Sequence, residues 1–572
     1  MLQICSGKLF KNGIGLRNNL RGVIYTNLRF SRDQKIETPA GSLLSISNFP
    51  ETNAAIYEIE ELMEDFGDGP GVLVSHGISF FILDFSSILS FTLNCTASPS
   101  YHLTDRLLGD QLGVTTHSTP REVVKQVFDK NIYCQPEDEN FLVKFTKQLI
   151  GLDRKTYLGV MSSIRTYVTG MQRIADDFEL AYTLLVASIE SLAQNFDGHQ
   201  STWSDYDSKK KKPLDRALNG VDEIIADRVR NAILLNEHTA LSKRFIEFSI
   251  KHINSAYYRE ETENIINPIS RFDLPTALKN AYQARSKYIH NLHKLPKPLD
   301  RPTRYTETCR IENKTWLTLQ GLSRLARHVL IEFVMRQTTI EKEQYDYHLE
   351  RSNIMQVELA PEYWIWQLDF SRGSGSQKLK GFLSQLASCM EHVPNSSVTE
   401  LTEVLDEVER KIDSFQKEDK RAYIALYIAY YHFFSDPNKR EKHLEFIKCY
   451  EKEILISCTE GLIIIHLLNL TPSWDLQSHY DCITRYFKER DHKGKIRFPK
   501  IFEVGMILQL AERYRLNDDE AKVIELIGMA VESYPEHAAL RQFEKDYKLE
   551  SRTIAWGKIL SPPKDPETNK TE

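Results

Sequence analysis

The segment Leu180 to Ala193 carries one charge, Glu190, among otherwise apolar and small side chains. Apolar residues on every side of a helix mean that other elements surround it. A lone carboxylate in such a helix must be paired, because an uncompensated buried charge is strongly unfavourable. The constraint is therefore that this helix is buried and that another helix must bring a cation to Glu190. The segment Asp273 to Lys294 meets that need. Its apolar residues recur at helical spacing, Leu274, Leu278, Ala281, Tyr282, Tyr288, Ile289 and Leu292, and Arg285 interrupts the stripe. A guanidinium alone in one apolar stripe and a carboxylate alone in another are natural partners.

The same periodicity governs most of the chain. From Asn140 onward the spacing predicts helices over Phe141 to Gly151, Lys155 to Gln172, Asp177 to Asn195, Pro213 to Leu235, Thr239 to Asn254, Pro275 to Lys294 and Lys314 to Arg336. Gly198 to Lys212, with its four consecutive lysines, is expected to be a mobile loop. Residues 1–135 are expected to form an α+β domain. Val23 to Thr26, Leu43 to Ile46, Val72 to Val74, Ser79 to Leu83 and Ile88 to Leu93 are rich in β-formers, and Glu51 to Phe66 is expected to be one helix. The composition divides the rest into an all-α domain over 136–345, a linker region over 346–377 around Ser371 to Ser376, a helical domain over 378–555 and a disordered tail over 556–572. In the last domain Leu401 to Phe415, Tyr423 to Phe433, Lys442 to Ile456, Ile501 to Tyr514 and Asp519 to Tyr534 are expected helices, and Asp491 to Lys495 an exposed loop. Ala530-x-x-x-Tyr534-Pro535 with Ala538 resembles the end of a tetratricopeptide unit, but no repeating period follows from it. The fold class is mainly α with an α+β start.

With 572 residues and a formal net charge of -6, the protein is not coated in basic surface, so a nucleic-acid partner requires a local basic patch. The eight cysteines form no C-x-x-C pair, which speaks against structural zinc and thioredoxin-like chemistry. His290-x-x-His293 lacks a third ligand, so no metal or other cofactor is expected. The apolar stretch Val72 to Ala97 is broken by His76, Gly77 and Asp84, and no signal peptide or membrane span is expected; a cytoplasmic location follows as an expectation. No P-loop, dinucleotide fingerprint or nucleophile elbow is present. Tyr423, Tyr427, Tyr430, Tyr431, Phe433 and Phe434 are expected to pack a core rather than stack on bases.

The chemistry concentrates on one helix. Arg285 can stabilise phosphorane-like charge, and His290, five residues on, is of the side-chain type that moves protons. At roughly 100° per residue the two lie about 140° apart and flank a groove that another element must close. Ser286 and His290 share a face, with His293 and Lys294 following.

Arg285-Ser286-x-x-x-His290 resembles the Arg-polar-x-x-x-His motif of HEPN domains, the all-α domains of many prokaryotic and some eukaryotic ribonucleases. The helix ending Ala187-Ser188-Ile189-Glu190-Ser191-Leu192, then an insertion, then the Arg/His helix, is similar to the Apea-like branch of that family. The resemblance covers about residues 140 to 336. It implies metal-independent RNA cleavage, often in phage defence or as a toxin, with two motif helices meeting across a dimer. It implies that Arg285 holds the scissile phosphate, that His290 is general acid or base, and that Glu190 orients Arg285. Ser286 stands where the family often has Asn or Asp, and it supports the site less extensively. Lys287 and Lys294 are candidate RNA contacts. The implied partners are RNA, tRNA among the candidates, a second or further copies of the chain, and a phage-derived trigger or inhibitor protein. The alternative is a non-catalytic dimerisation or ligand-binding scaffold built on the same helices.

Overall fold

In the computed structural model the described residues are all but 32–33, 48–51, 66–75, 114–117, 131, 200–201, 207, 237–239, 300, 302–303, 348–349, 351–356, 435–439, 550–551 and 561–572. The chain is mainly helical, with its principal sheet near the start. It divides into two compact units, residues 1–356 and 357–572. Residues 1–135 and 136–345 share the first unit and one continuous hydrophobic core.

In the first unit the strands are β1 (Ile14–Thr26), β2 (Leu28–Arg29), β3 (Lys35–Thr38), β4 (Gly41–Ser47), β5 (Asn53–Glu64), β6 (Ala97–Ser98), β7 (Ile132–Tyr133), β8 (Thr308–Ile311) and β9 (Lys314–Leu317). The helices are α1 (Leu2–Cys5), α2 (Ile78–Thr92), α3 (Tyr101–Leu108), α4 (Pro120–Val123), α5 (Pro136–Gly151), α6 (Arg154–Arg173), α7 (Phe178–Phe196), α8 (Ser208–Ala217), α9 (Glu223–Asn236), α10 (Leu241–Lys251), α11 (Leu274–Asn291) and α12 (Leu319–Arg336). The sheet runs β3-β4-β5-β1-β6, every neighbour antiparallel.

Two local expectations fail here for physical reasons. Glu51 to Phe66 is not a helix: its described part forms β5, paired with β1 from Thr26↔Asn53 to Ile14↔Glu64. Ala55, Tyr57, Ile59, Glu61 and Met63 are all buried, a period of two. Glutamates suggested a helix, but pairing on both edges of the strand overrides propensity. Conversely, Ser79 to Leu83 and Ile88 to Leu93 are not strands but parts of α2, whose Phe81, Phe85, Ile88 and Phe91 are wholly enclosed. A short apolar run does not distinguish a buried strand from a buried helix. Tyr57 stacks on Phe85 at 4.4 Å and joins sheet to helix. Val72 to Val74 lies outside the described residues.

The helical half of the unit is built around α7, which packs on α6, α10, α11 and α12. Pro213 to Leu235 is two helices, broken at Asn219-Gly220, where Gly220 has φ +85°. Lys209 to Lys212 belong to α8 and not to a loop. Lys314 to Arg336 is β9 followed by α12; β8 and β9 form a hairpin through Glu312 and Asn313, both at positive φ, which matches the right-handed twist of the strands.

The second unit holds α13 (Ser374–Met390), α14 (Thr402–Lys411), α15 (Lys417–Phe433), α16 (Arg440–Ile454), α17 (Thr459–Leu467), α18 (Leu476–Glu489), α19 (Lys500–Arg515), α20 (Glu520–Ser533), α21 (Ala538–Leu549) and α22 (Trp556–Leu560) around its own core. Ser371 to Ser376 is not a free linker. Gly373 and Gly375 donate their N–H groups to the Asp419 carboxylate at 2.9 and 3.1 Å, and a Cβ on Gly375 would stand 2.7 Å from the Asp419 carbonyl oxygen. Gly375 serves close approach at the helix start, and Gly373, at φ +90°, supplies the left-handed turn that leads into it. The tail begins as α22, and residues 561–572 lie outside the described set.

One buried pair fixes the elements beneath α11. Glu307, fully buried, receives Arg324 of α12 and the N–H of Ile269, in the segment that leads into α11. Arg324→Ala is expected to destabilise the first unit by about 3–5 kcal/mol, since it strands a buried carboxylate. Urea denaturation followed by circular dichroism checks it; a loss under about 1 kcal/mol would show that water reaches Glu307.

Candidate functional site

Helix α11 begins with Pro275 in its first turn, where a missing N–H costs nothing. It buries Leu274, Ala277, Leu278, Ala281 and Ala284 within its own chain. Asn280 donates to the Thr315 carbonyl at 2.9 Å and ties the helix to β9. The apolar stripe is thus largely spent within the chain. What it leaves in solvent are Ile289 and Leu292 at the C-terminal end, 47% and 75% exposed.

Glu190 of α7 is buried, and Arg285 reaches it from α11, Nη2 standing 2.8 Å from Oε2. The other carboxylate oxygen accepts from the Tyr282 hydroxyl and from Gln194 Nε2, each at 3.1 Å. The carboxylate is therefore held on both oxygens, the condition under which a buried charge persists. Burial, then the adjacent Glu190 charge and the hydrogen bond to it, push the Tyr282 hydroxyl up to about 12, so it remains a donor at physiological pH. The Arg285 guanidinium also lies 5.8 Å from the centroid of the Tyr282 ring. Its Nε is buried without a hydrogen-bond acceptor.

Farther along, Tyr288 donates to Asp177 Oδ2 at 3.3 Å. Asp177 caps α7, its Oδ1 accepting from the Leu180 N–H at 2.8 Å. The early part of α11 thus lies against the late part of α7, and the later part against its start, so the two helices run in opposite senses. Tyr282, Gln194 and the Tyr288–Asp177 contact were not singled out from sequence. Two had a signal: Tyr282 is three residues before Arg285 and Gln194 four after Glu190, positions that share a helix face.

His290 is exposed, as are Lys287, His293 and Lys294; Ser286 is half-buried. Neither His290 nor Ser286 has a side-chain hydrogen bond among the described residues. The helix ends at Leu292, in the left-handed region at φ 52°, and its N–H returns to the Tyr288 carbonyl at 2.8 Å. Cationic side chains at this end also sit favourably against the helix dipole. Within one chain Arg285 turns inward to α7 and His290 outward to solvent. The fold brings Arg285 and Glu190 together and leaves His290 apart from both.

The arrangement offers an anchored guanidinium, a solvent-facing imidazole and nearby ammonium groups. Among the described residues no three His, Cys, Asp or Glu side chains converge as metal ligands, and no helix is long and apolar enough to cross a membrane. Compared with known proteins, the chain matches no family model, no curated protein and no solved structure.

Proposed function

We propose that the chain is a metal-independent RNA endonuclease, acting as a toxin or phage-defence effector in the cytoplasm, with Arg285 and His290 as its reacting pair. The observation that carries this reading is a guanidinium anchored on a buried carboxylate, five residues before an uncommitted, exposed imidazole. The mechanism uses RNA's own 2′-hydroxyl. His290 takes its proton as the oxygen attacks the adjacent phosphorus, or donates one to the departing 5′-oxygen. Arg285 stabilises the charge on the phosphoryl oxygens, and Glu190 is the positioning residue that holds it. Lys287 and Lys294 bind flanking phosphates.

Because Arg285 and His290 face about 140° apart on one helix, the complete site forms between two copies. Exposed Ile289 and Leu292 lie at that junction, and each copy's His290 faces the other's Arg285. A second reading, a scaffold without chemistry, is favoured by one observation: Arg285 is already engaged by Glu190 and packs inward.

Cleavage is expected to proceed in excess EDTA and to leave a 2′,3′-cyclic phosphate and a 5′-hydroxyl. Mass spectrometry of the termini tests this, and magnesium-dependent 5′-phosphate products would exclude it. His290→Ala is expected to lower the cleavage rate at least about 100-fold while changing stability by less than about 1 kcal/mol, as for an exposed side chain. Arg285→Ala is expected to abolish cleavage and to cost about 3 kcal/mol, because Glu190 loses its counter-charge. Tyr282→Phe, which keeps that charge, is expected to cost about 1.5 kcal/mol and to retain most activity. Thermal melts beside RNA assays separate the readings: activity that falls only in proportion to folded protein in every variant establishes the scaffold.

A further inference from the structure

The second unit contains a polar cavity of about 300 Å³, remote in sequence from the helices above. Arg421 of α15, Arg485 of α18, Arg490 just beyond α18 and Lys495 of the following loop line it, and the start of α17 closes one side. Three guanidinium groups and an ammonium thus converge on one small space. Their counter-charges are unevenly distributed. Arg490 Nη1 is 2.6 Å from the buried Glu503, and its buried Nε makes no hydrogen bond but stands 3.8 Å from Asp491 Oδ2. Arg485 Nη2 donates to the Ser457 carbonyl at 2.9 Å. Lys495 stands 3.7 Å from Glu418. Arg421 has neither ion pair nor hydrogen bond among the described residues, and the N–H groups of Thr459 and Glu460, in the first turn of α17, likewise have no acceptor there.

Guanidinium groups gathered in one space repel one another, and a buried donor without a hydrogen bond, here Arg490 Nε, is costly. A tetrahedral oxyanion removes both penalties, since its oxygens accept from several donors at once and its charge suits the helix start. Glu418, Glu460 and Glu489 also line the cavity. They oppose a bare dianion but accept from hydroxyl groups attached to one. The volume, at the lower edge of about 300–1,000 Å³ for small-molecule pockets, leaves room for more than the anion.

We propose that this cavity binds a phosphate group, free or as the phosphate of a small hydroxylated ester such as a mononucleotide. Phosphate recognition here would let the second unit respond to a metabolite.

Isothermal titration of the full chain with inorganic phosphate, AMP and adenosine tests it. Phosphate or AMP is expected to bind with Kd below about 1 mM, and adenosine not at all. AMP tighter than phosphate identifies the ester; equal affinity identifies the free anion. Arg421→Gln and Arg485→Gln are each expected to weaken binding at least about tenfold, while Lys488→Gln, exposed on α18 outside the cavity, leaves it unchanged. Circular dichroism establishes that each variant is folded, and exposed Arg485 carries the test if Arg421→Gln is not. No binding of phosphate or AMP at millimolar concentration, or binding that survives the arginine variants, overturns the proposal.

Discussion

A carboxylate buried on a helix packed against four others sets the terms for the first unit. Glu190 is tolerable there only because Arg285, Tyr282 and Gln194 complete its coordination. Two of the three come from α11, so the charge specifies which helix lies beside α7 and in which sense it runs. An apolar residue at position 190 would pack as well against many neighbours; a carboxylate accepts few. Glu307 repeats the device with Arg324 of α12, and its bond from the Ile269 N–H fixes the segment that leads into α11.

The same carboxylate gives the candidate chemistry its precision and its difficulty. An arginine held on one side loses little further freedom when it meets a phosphate. The anchoring also directs it away from His290, which is why the proposed site requires a second copy. The polar groups that hold Arg285 belong to the fold whether or not the helix end does chemistry.

What was legible in the sequence follows from how unusual each residue was in its surroundings. Glu190 and Arg285 stood out because each is a lone charge in an apolar stretch, and buried charges have few ways to be satisfied. The helices α5 and α6 were legible because long amphipathic segments have one period, and α7 because its apolar run is too long for a strand. Two other elements were not: α2 turns apolar Phe80 and Leu83 outward and so has no polar face to betray its period, and β5 buries Glu61 and Glu64. Gly375 misled for another reason. Composition does not distinguish a glycine that gives freedom from one that lets two backbones touch. Tyr282 was hidden because a tyrosine in an apolar stripe reads as packing; its hydroxyl partner lies 92 positions away.

That separation has a consequence for how the protein is made. When α7 leaves the ribosome it exposes an apolar surface with a carboxylate in it, and the groups that neutralise that charge have not yet been synthesised. At about 5–20 residues per second, Tyr282 follows Glu190 by roughly 5–20 s. During that interval α7 cannot bury Glu190 at low cost, so docking of the half-made bundle is delayed until α11 arrives. The ion pair therefore sets an order: α7 buries Glu190 at low cost only once α11 is present to pair it.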